Sequence, residues 1–584
     1  MFLPTTLDEV RALGWAQLDV ILVTGDTYID SPFIGAAVIG KVLVAAGYRV
    51  GIIAQPDTGS TEDIARLGEP LLFWGVTGGS VDSMVANRTA AGKRRRSDDY
   101  TPGGLNTRRP DRAVLAYSNL IRSRFKHTVP LVLGGIEASL RRVVHYDFWD
   151  NRLRRSILFD AKADYLLYGM AEQSVLELAG VLRAGGDPRA VRGLCHASRD
   201  LPSGCLQLPS FTECTGDKAA FTRMFHAFYR NNDPKTARTL AQLQDNRYLI
   251  QNPPPPTMTS EELDQVHDLD FEREVHPHYA RQGEVKALAT IRFALATHRG
   301  CYGECNFCAI AVHQGRIVTW RSQHSLVAEA RRLAAHPRFK GIIQDVGGPT
   351  ANMYGFECAK KLQRGGCPQK RCLFPKVCAH LPVDHGPQIR LLRELQLIPG
   401  VRKVVVASGP RYDLILADRA HGLEYLRELV SHHVSGQLKI APEHSEDQVL
   451  ARMGKPGTES LLRFRDLFLN LNREQGRQQF LTYYLIAAYP GCTLADMRSL
   501  RRFCQDHLRL LPRQVQIFTP TPSTYATLSY WTEQDPWTGE RCFVEKTAAG
   551  RERQKQALAV EEHKNAPPPQ SPRSQTKTKK TSHR

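Results

Sequence analysis

This chain of 584 residues has no apolar run approaching the ~18 residues that a membrane-crossing helix needs, which excludes a protein built on helical membrane spans. Its first fourteen residues carry Asp8 and Glu9 and no apolar stretch, so nothing there reads as a signal peptide; the expectation is a cytoplasmic protein. Cysteine is absent before Cys195, and seven of the thirteen cysteines fall between Cys301 and Cys378. In a cytosolic chain that crowding points to metal or redox chemistry before disulfides. Acidic residues are in deficit, 59 against 78 Lys and Arg, for a formal net charge of +19. From Arg551 to Arg584 the net is +6, leaving +13 on the rest. A basic body attracts RNA or other anions without regard to sequence, and it also serves plain solubility.

The hydrophobic share, 42%, and the charged share, 23%, are those of an ordinary soluble globular protein. Residues 1–200 alternate short apolar runs with amphipathic segments, the pattern of a doubly wound parallel sheet wrapped by helices. Strands are expected at Asp19–Val23, Arg49–Ala54, Leu71–Gly75, Val129–Gly134 and Asp164–Gly169, with a helix from Ile34 to Ala46 stopped by Gly47. Gly25, Gly78, Gly79, Gly134 and Gly135 cluster at the strand ends, where such folds bind ligands. A basic insertion at 92–112 contains Lys93-Arg94-Arg95-Arg96, expected as a solvated loop. Residues 201–286 read as a connector, with a helical stretch from Lys218 to Gln244 and then Pro253 to Pro256, which force extended chain. Over 287–545 the β/α rhythm returns, with strands expected at Thr290–Ala296, Gly341–Val346, Lys403–Ala407, Gln437–Ala441, Phe480–Ala487 and Gln514–Phe518. Six parallel strands with helices between them predict a partial (β/α)6 TIM-type barrel, with its chemistry at the C-terminal strand ends. The tail, 546–584, is basic and without apolar periodicity over its last ~25 residues, where disorder is expected.

Cys301, Cys305 and Cys308 follow the first strand of that barrel in the spacing C-x3-C-x2-C. Three thiolates on a short loop can hold three corners of an iron–sulfur cubane, and Gly300 and Gly303 let the backbone wrap it closely. The fourth iron stays open, as a catalytic zinc keeps one position free. A zinc site completed by His298 or His313 is the alternative on the same residues.

With Phe307 in the aromatic position before the last cysteine, this segment resembles the signature of the radical S-adenosylmethionine (radical SAM) superfamily. Further segments resemble the YgiQ-type radical SAM family: Val23-Thr24-Gly25-Asp26, Gly51 to Pro56, Leu133 to Arg142 and Gly347 to Tyr354. The resemblance implies a [4Fe–4S] cluster on Cys301, Cys305 and Cys308 and an S-adenosylmethionine whose amino and carboxylate groups chelate the open iron. An external one-electron reductant would then drive cleavage to a 5′-deoxyadenosyl radical, on an unknown substrate, with RNA one option from the charge.

Three segments suit cofactor positioning. Gly347 and Gly348 resemble the superfamily's Gly-Gly-Glu motif, with Pro349 in place of the Glu; Ser408 and Arg411 could reach ribose and carboxylate; Glu443 resembles a residue near the ribose. Cys358, Cys367, Cys372 and Cys378 offer a second metal site, zinc or a second cluster, or stay inert thiols. The N-terminal half resembles cobalamin-binding domains, yet the loop from Asp26 to Gly35 has no His for the cobalt and carries bulky Tyr28 and Phe33, so cobalamin is expected to be unlikely. The alternative from another class is a basic RNA-binding protein with a structural or redox-sensing cluster.

Overall fold

Val20–Thr24 reads Val-Ile-Leu-Val-Thr, apolar on both faces, and all five residues are buried. Such a run suits a strand covered on both sides, as parallel sheets require. In the computed structural model, which describes residues 1–512 and 515–558, this strand (β1) lies inside a nine-stranded sheet. The others are β2 (Val50–Ala54), β3 (Phe73–Thr77), β4 (Leu131–Gly134), β5 (Tyr165–Leu167), β6 (Leu194–Ser198), β7 (Leu206–Leu208), β8 (Leu240–Gln244) and β9 (Arg247–Gln251). Their order is β7-β8-β9-β6-β5-β4-β3-β1-β2. The run from β2 to β5 is parallel; β6 and β9 join antiparallel, and β7 pairs parallel with β8.

All five strands expected before residue 200 are present, β3 two residues later than expected. The helix between β1 and β2 runs Gly35–Ala45, and Gly47 follows it at φ +82°. Beyond residue 200 the sequence reading departs from the structure: the stretch expected as helix to Gln244 is helix only over Lys218–Arg230, and β7, β8 and β9 extend the sheet. The turn at Asp245 (φ +56°) folds β8 onto β9, and the apolar alternation of that hairpin was hidden by its Gln residues. Those glutamines are buried and cap other backbone: Gln242 accepts from Val144 N (3.0 Å) and Gln244 from Ser156 N (2.8 Å).

The basic insertion is only partly solvated. Arg109 is fully buried, 2.9 Å from Asp26 and 3.0 Å from Asp98, which anchors the loop beneath the C-terminal ends of β1 and β3. Lys93, Arg94, Arg95 and Arg96 stay exposed, as expected.

After residue 286 come β10 (Ala294–Ala296), β11 (Ile342–Ile343), β12 (Asp345–Gly347), β13 (Lys403–Val404), β14 (Gln437–Glu443), β15 (Phe480–Ala487) and β16 (Gln516–Ile517). Every pairing among them is parallel: β10 with β12, β11 with β13, β14 with β15, and β15 with β16. Helices Gln323–Ala334, Gly386–Gln396, Gly422–Glu428, Thr458–Glu474 and Leu494–Phe503 intervene. Thr290 and Ile291, expected in a strand, end the helix Lys286–Ile291. The architecture is mixed α/β with a large, mainly parallel sheet. Ala548–Leu558, placed in the tail by sequence, is a helix whose Gln554 donates to Cys492 O (3.0 Å) and accepts from Ala488 N (2.9 Å). The expectation of disorder beyond it falls on 559–584, outside the described residues. No helix among the described residues is long and apolar enough to cross a membrane.

Candidate active site

Two strand ends and one loop build the site. Gly300 leaves the strand pair His298–Arg299 at φ +86°, with Ile317 O so close that no side chain fits there. The chain then turns tightly through the cysteines. Gly303 N donates to Cys301 Sγ (3.3 Å), Cys308 N to Cys305 O (2.9 Å) and Asn306 N to Met453 O (2.9 Å). A Cβ on Gly303 would lie 3.3 Å from Cys301 Sγ, 3.6 Å from Cys305 Sγ and 3.5 Å from Arg411 Nη1. Two thiols and a guanidinium therefore surround one glycine. Burial raises the Cys301 thiol and pushes Cys308 up to about 12, with the neighbouring cysteines adding to it. A metal that binds these thiols has to displace their protons.

A tetrahedral zinc with bonds of about 2.3 Å holds its sulfurs about 3.8 Å apart. Among the described residues, only Asp384, Asp418 and His421 bring three ligand atoms within 4.8 Å of one another. Cys301, Cys305 and Cys308, with or without His298 or His313, are not such a group. A cubane, with its irons at separate corners, spaces its thiolates more widely than one metal does. Three thiols on one loop match the three corners that a cluster needs from the protein.

Arg411 ties the next strand end to this loop. It is 8% exposed, donates to Cys305 Sγ (3.5 Å) and forks onto Asp413 at 2.8 and 2.6 Å. Its backbone N donates to Asn352 Oδ1 (2.7 Å), and Asn352 Nδ2 donates back to Arg411 O (3.1 Å). Asn352, which sequence reading did not single out, thus clamps the loop after β12 to the loop after β13. Asp345 does the same one turn earlier, accepting from Ala407 N (2.8 Å), Ser408 N (3.1 Å) and the Ser408 hydroxyl. Glu443 ends β14 at φ +72°, past a register shift, with its carboxyl raised by burial and partly offset by Lys455 and Arg411. A non-glycine residue in that region stores about 1–3 kcal/mol of strain and marks a functional candidate. Phe307 packs edge-on against Tyr489 at 6.4 Å.

A cavity of about 480 Å³ lies between the two halves of the chain. One end runs under the helix Gly35–Ala45 along Leu22, Phe73, Gly75 and Val132; the other reaches Gly347, Gly348, Pro349 and Ser408. Of the expected site residues, Gly347, Gly348 and Ser408 line it, whereas Cys301, Cys305 and Arg411 meet beside it and Phe307 and Glu443 stand apart from its wall. Three histidines also reach it, His267, His298 and His313. Both ring nitrogens of His267, Nε2 of His298 and Nδ1 of His313 are buried without a hydrogen-bond partner of normal geometry. Burial keeps all three neutral, lowering His298 and His313 to about 4. Glu172 shows the same pattern: Oε1 accepts from Arg299 (2.7 Å) while Oε2 is left unpaired at the cavity wall. Buried polar atoms without partners are rare enough to call for an explanation, and here they share one cavity.

The sequence profile described as Radical SAM N-terminal matches residues 2–294. A UPF0313 protein of Fusobacterium nucleatum subsp. nucleatum is 55% identical over 97% of this chain and 99% of its own. Among solved structures, the radical S-adenosylmethionine methyltransferase TsrM from Kitasatospora setae, with tryptophan substrate and a SAM analog bound, is similar at a TM-score of 0.51 and 15% identity. That match covers 92% of this chain and 88% of TsrM. A second TsrM structure, with cobalamin and a [4Fe–4S] cluster bound, scores 0.49 at 16% identity over 86% and 76%.

The expectation against cobalamin is thereby corrected: TsrM, which this fold resembles at a TM-score of 0.51, is a protein that has been solved with cobalamin bound. The physical reason lies in two residues and three histidines. Tyr28, taken as an obstruction, is turned into the core, where its hydroxyl accepts from Leu3 N and donates to Asp30; only Phe33 touches the cavity. Histidine was sought in the loop after β1 alone, whereas His267, His298 and His313 arrive from distant segments. The profile match and the full-length relative leave one assignment: this chain belongs to the YgiQ-type radical SAM family.

Proposed function

We propose that the chain is a radical SAM enzyme that holds a [4Fe–4S] cluster on Cys301, Cys305 and Cys308 and a corrinoid in the cavity between its two halves. Residues 287–545 would form the radical SAM core, a partial barrel of short parallel strands, and residues 1–200 the corrinoid side, with 201–286 between them. One observation carries the reading: a single cavity of about 480 Å³ joins the strand ends of the large sheet to Gly347, Gly348 and Ser408.

When bound, the cluster with S-adenosylmethionine supplies one-electron cleavage chemistry and a corrinoid supplies one-carbon transfer. The chain's own residues do the rest. Arg411, held by Asp413, sets the charge beside Cys305. The backbone of Gly347 and Gly348 and the Ser408 hydroxyl, braced by Asp345, orient the cofactor's polar end. Neutral His267, His298 and His313 offer lone pairs and N–H donors to the cavity's occupant. The apolar wall of Leu22, Ile34, Val38, Phe73 and Val132 excludes water. The substrate lies beyond this reading.

The test is anaerobic reconstitution of the full chain with iron, sulfide and hydroxocobalamin, followed by gel filtration. The expected result is about one corrinoid per chain, with Ala36→Trp, which fills the cavity wall, losing it while keeping its iron. Reconstituted protein that carries iron but no corrinoid refutes the corrinoid half. Iron that survives replacement of Cys301, Cys305 and Cys308 undiminished refutes the cluster half.

A further inference from the structure

The connection from Gly348 to His385 is long and irregular, with one short helix, Ala359–Arg364. Segments of that length without secondary structure are uncommon in compact folds unless they do something. Here the segment carries four of the chain's cysteines, all of them free thiols and half-buried. Three of them, Cys358, Cys372 and Cys378, together with Cys301, pack on one small apolar cluster made by Tyr302, Val318, Met353, Phe356, Leu373 and their neighbours. Cys367 is not among the side chains packed there; its neighbour Gly366 is drawn aside, its N donating to Asp233 at 2.7 Å.

The backbone fixes this convergence. Cys378 N donates to Cys372 O (2.8 Å), closing the loop between them, while Cys358 N donates to Glu357 Oε1 (2.6 Å). Glu357 in turn accepts from Val318 N (2.8 Å), pinning Cys358 to the segment that leads out of the first cysteine loop. A cation completes the set. Lys361, 4% exposed, places its ammonium 3.9 Å from Cys372 Sγ, 2.9 Å from Glu357 and 4.6 Å from the centre of the Tyr302 ring. Burial pushes the Cys372 thiol up to about 11, and the Lys361 ammonium offsets part of that rise.

We infer that Cys358, Cys372 and Cys378 hold a second iron–sulfur cluster, next to the set of Cys301, Cys305 and Cys308. Three thiolates leave one iron of this cluster open, as in the first set. A tetrahedral zinc would hold its sulfurs about 3.8 Å apart, and Cys358, Cys372 and Cys378 are not among the groups of three ligand atoms that lie within 4.8 Å of one another among the described residues. Tyr302 follows Cys301 directly, its ring stacks on Phe356 at 5.6 Å, and Cys301 packs on the same apolar cluster as the three further cysteines, so the two sets are neighbours.

The experiment uses the full-length Cys301→Ala/Cys305→Ala/Cys308→Ala chain, reconstituted anaerobically with ferrous iron and sulfide. Wild type should hold about eight iron and the variant about four, with an electron paramagnetic resonance signal on dithionite reduction. Adding Cys358→Ser, Cys372→Ser and Cys378→Ser should remove the rest, and Cys367→Ser alone should change nothing. A wild type with about four iron and a variant with none overturns the inference, as does retained zinc in place of iron, or a Cys367→Ser chain that loses the second signal. If the first variant fails to fold, the Cys358→Ser/Cys372→Ser/Cys378→Ser chain decides: iron should halve, and an unchanged count overturns the inference. The outcome is separable from the reading of the first cysteine set, because each variant empties one set only.

Discussion

Asp413 offers a direct test of how the site is held together. It is 6% exposed and grips Arg411 through two hydrogen bonds, 2.8 Å from Nε and 2.6 Å from Nη2. Arg411 has one other side-chain partner, Cys305 Sγ at 3.5 Å. Asp413→Asn keeps the shape and one acceptor but strips the negative charge from a buried guanidinium. Breaking a buried pair from one side costs about 3–5 kcal/mol, because the remaining charge stays desolvated. The retained acceptor puts the expectation at the lower end, about 3 kcal/mol. Urea unfolding of the metal-free chain would read this as a lowered midpoint. A double-mutant cycle with Arg411→Met isolates the pair, and the double variant should be less destabilised than Asp413→Asn alone. A loss below about 1 kcal/mol, or additivity in the cycle, would refute the claim that Asp413 holds a charge that has nowhere else to go.

Replacing any one of Cys301, Cys305 or Cys308 by Ala should abolish cleavage of S-adenosylmethionine with dithionite as donor; normal turnover by one such variant removes that cysteine from the ligand set. A methyl on Gly348 would sit 2.6 Å from His298 Nε2, inside a buried ring whose Nδ1 is already engaged by Thr297 at 2.8 Å. Gly348→Ala should therefore carry an overpacking cost of about 1–3 kcal/mol. If cofactor lies against this loop, calorimetry should show affinity for S-adenosylmethionine reduced by roughly 5- to 150-fold, partly restored by adding His298→Ala; unaltered affinity places the cofactor elsewhere. Glu428 accepts from His433 (3.4 Å) and from Arg393 (2.8 Å), and these bonds lower its carboxyl to about 2. Its contribution is thus complete above pH ~4.5 and is lost as pH falls toward about 2. Glu428→Gln should flatten that stretch of the acid unfolding curve of the metal-free chain, and an identical acid limb in both proteins contradicts the assignment.

How much of this was legible in the sequence depended on whether a feature is local. The strands β1 to β5 announce themselves because a doubly covered strand is apolar throughout, and the cysteine triplet because three ligands must share one short loop. The hairpin β8–β9 escaped because its buried positions include Gln242, Gln244 and Gln251, which cap distant backbone instead of facing water. Ala548–Leu558 escaped because only its Gly550, Arg551, Gln554 and Leu558 are buried, so polar residues make its contacts. The cavity was the least legible feature, since no segment owns it. His267 comes from a helix in the stretch taken for a connector, His298 from the strand before the cysteines and His313 from the helix after them. In sequence His267 is a lone histidine, and His298 and His313 stand only as candidate zinc ligands beside the cysteines. What changes their meaning is a shared surface together with ring nitrogens that find no partner in the fold. A sequence search for a cobalt ligand looks for one residue in one loop. The structure instead gathers unpaired donors and acceptors around one space, so an occupant is to be argued from that space as a whole.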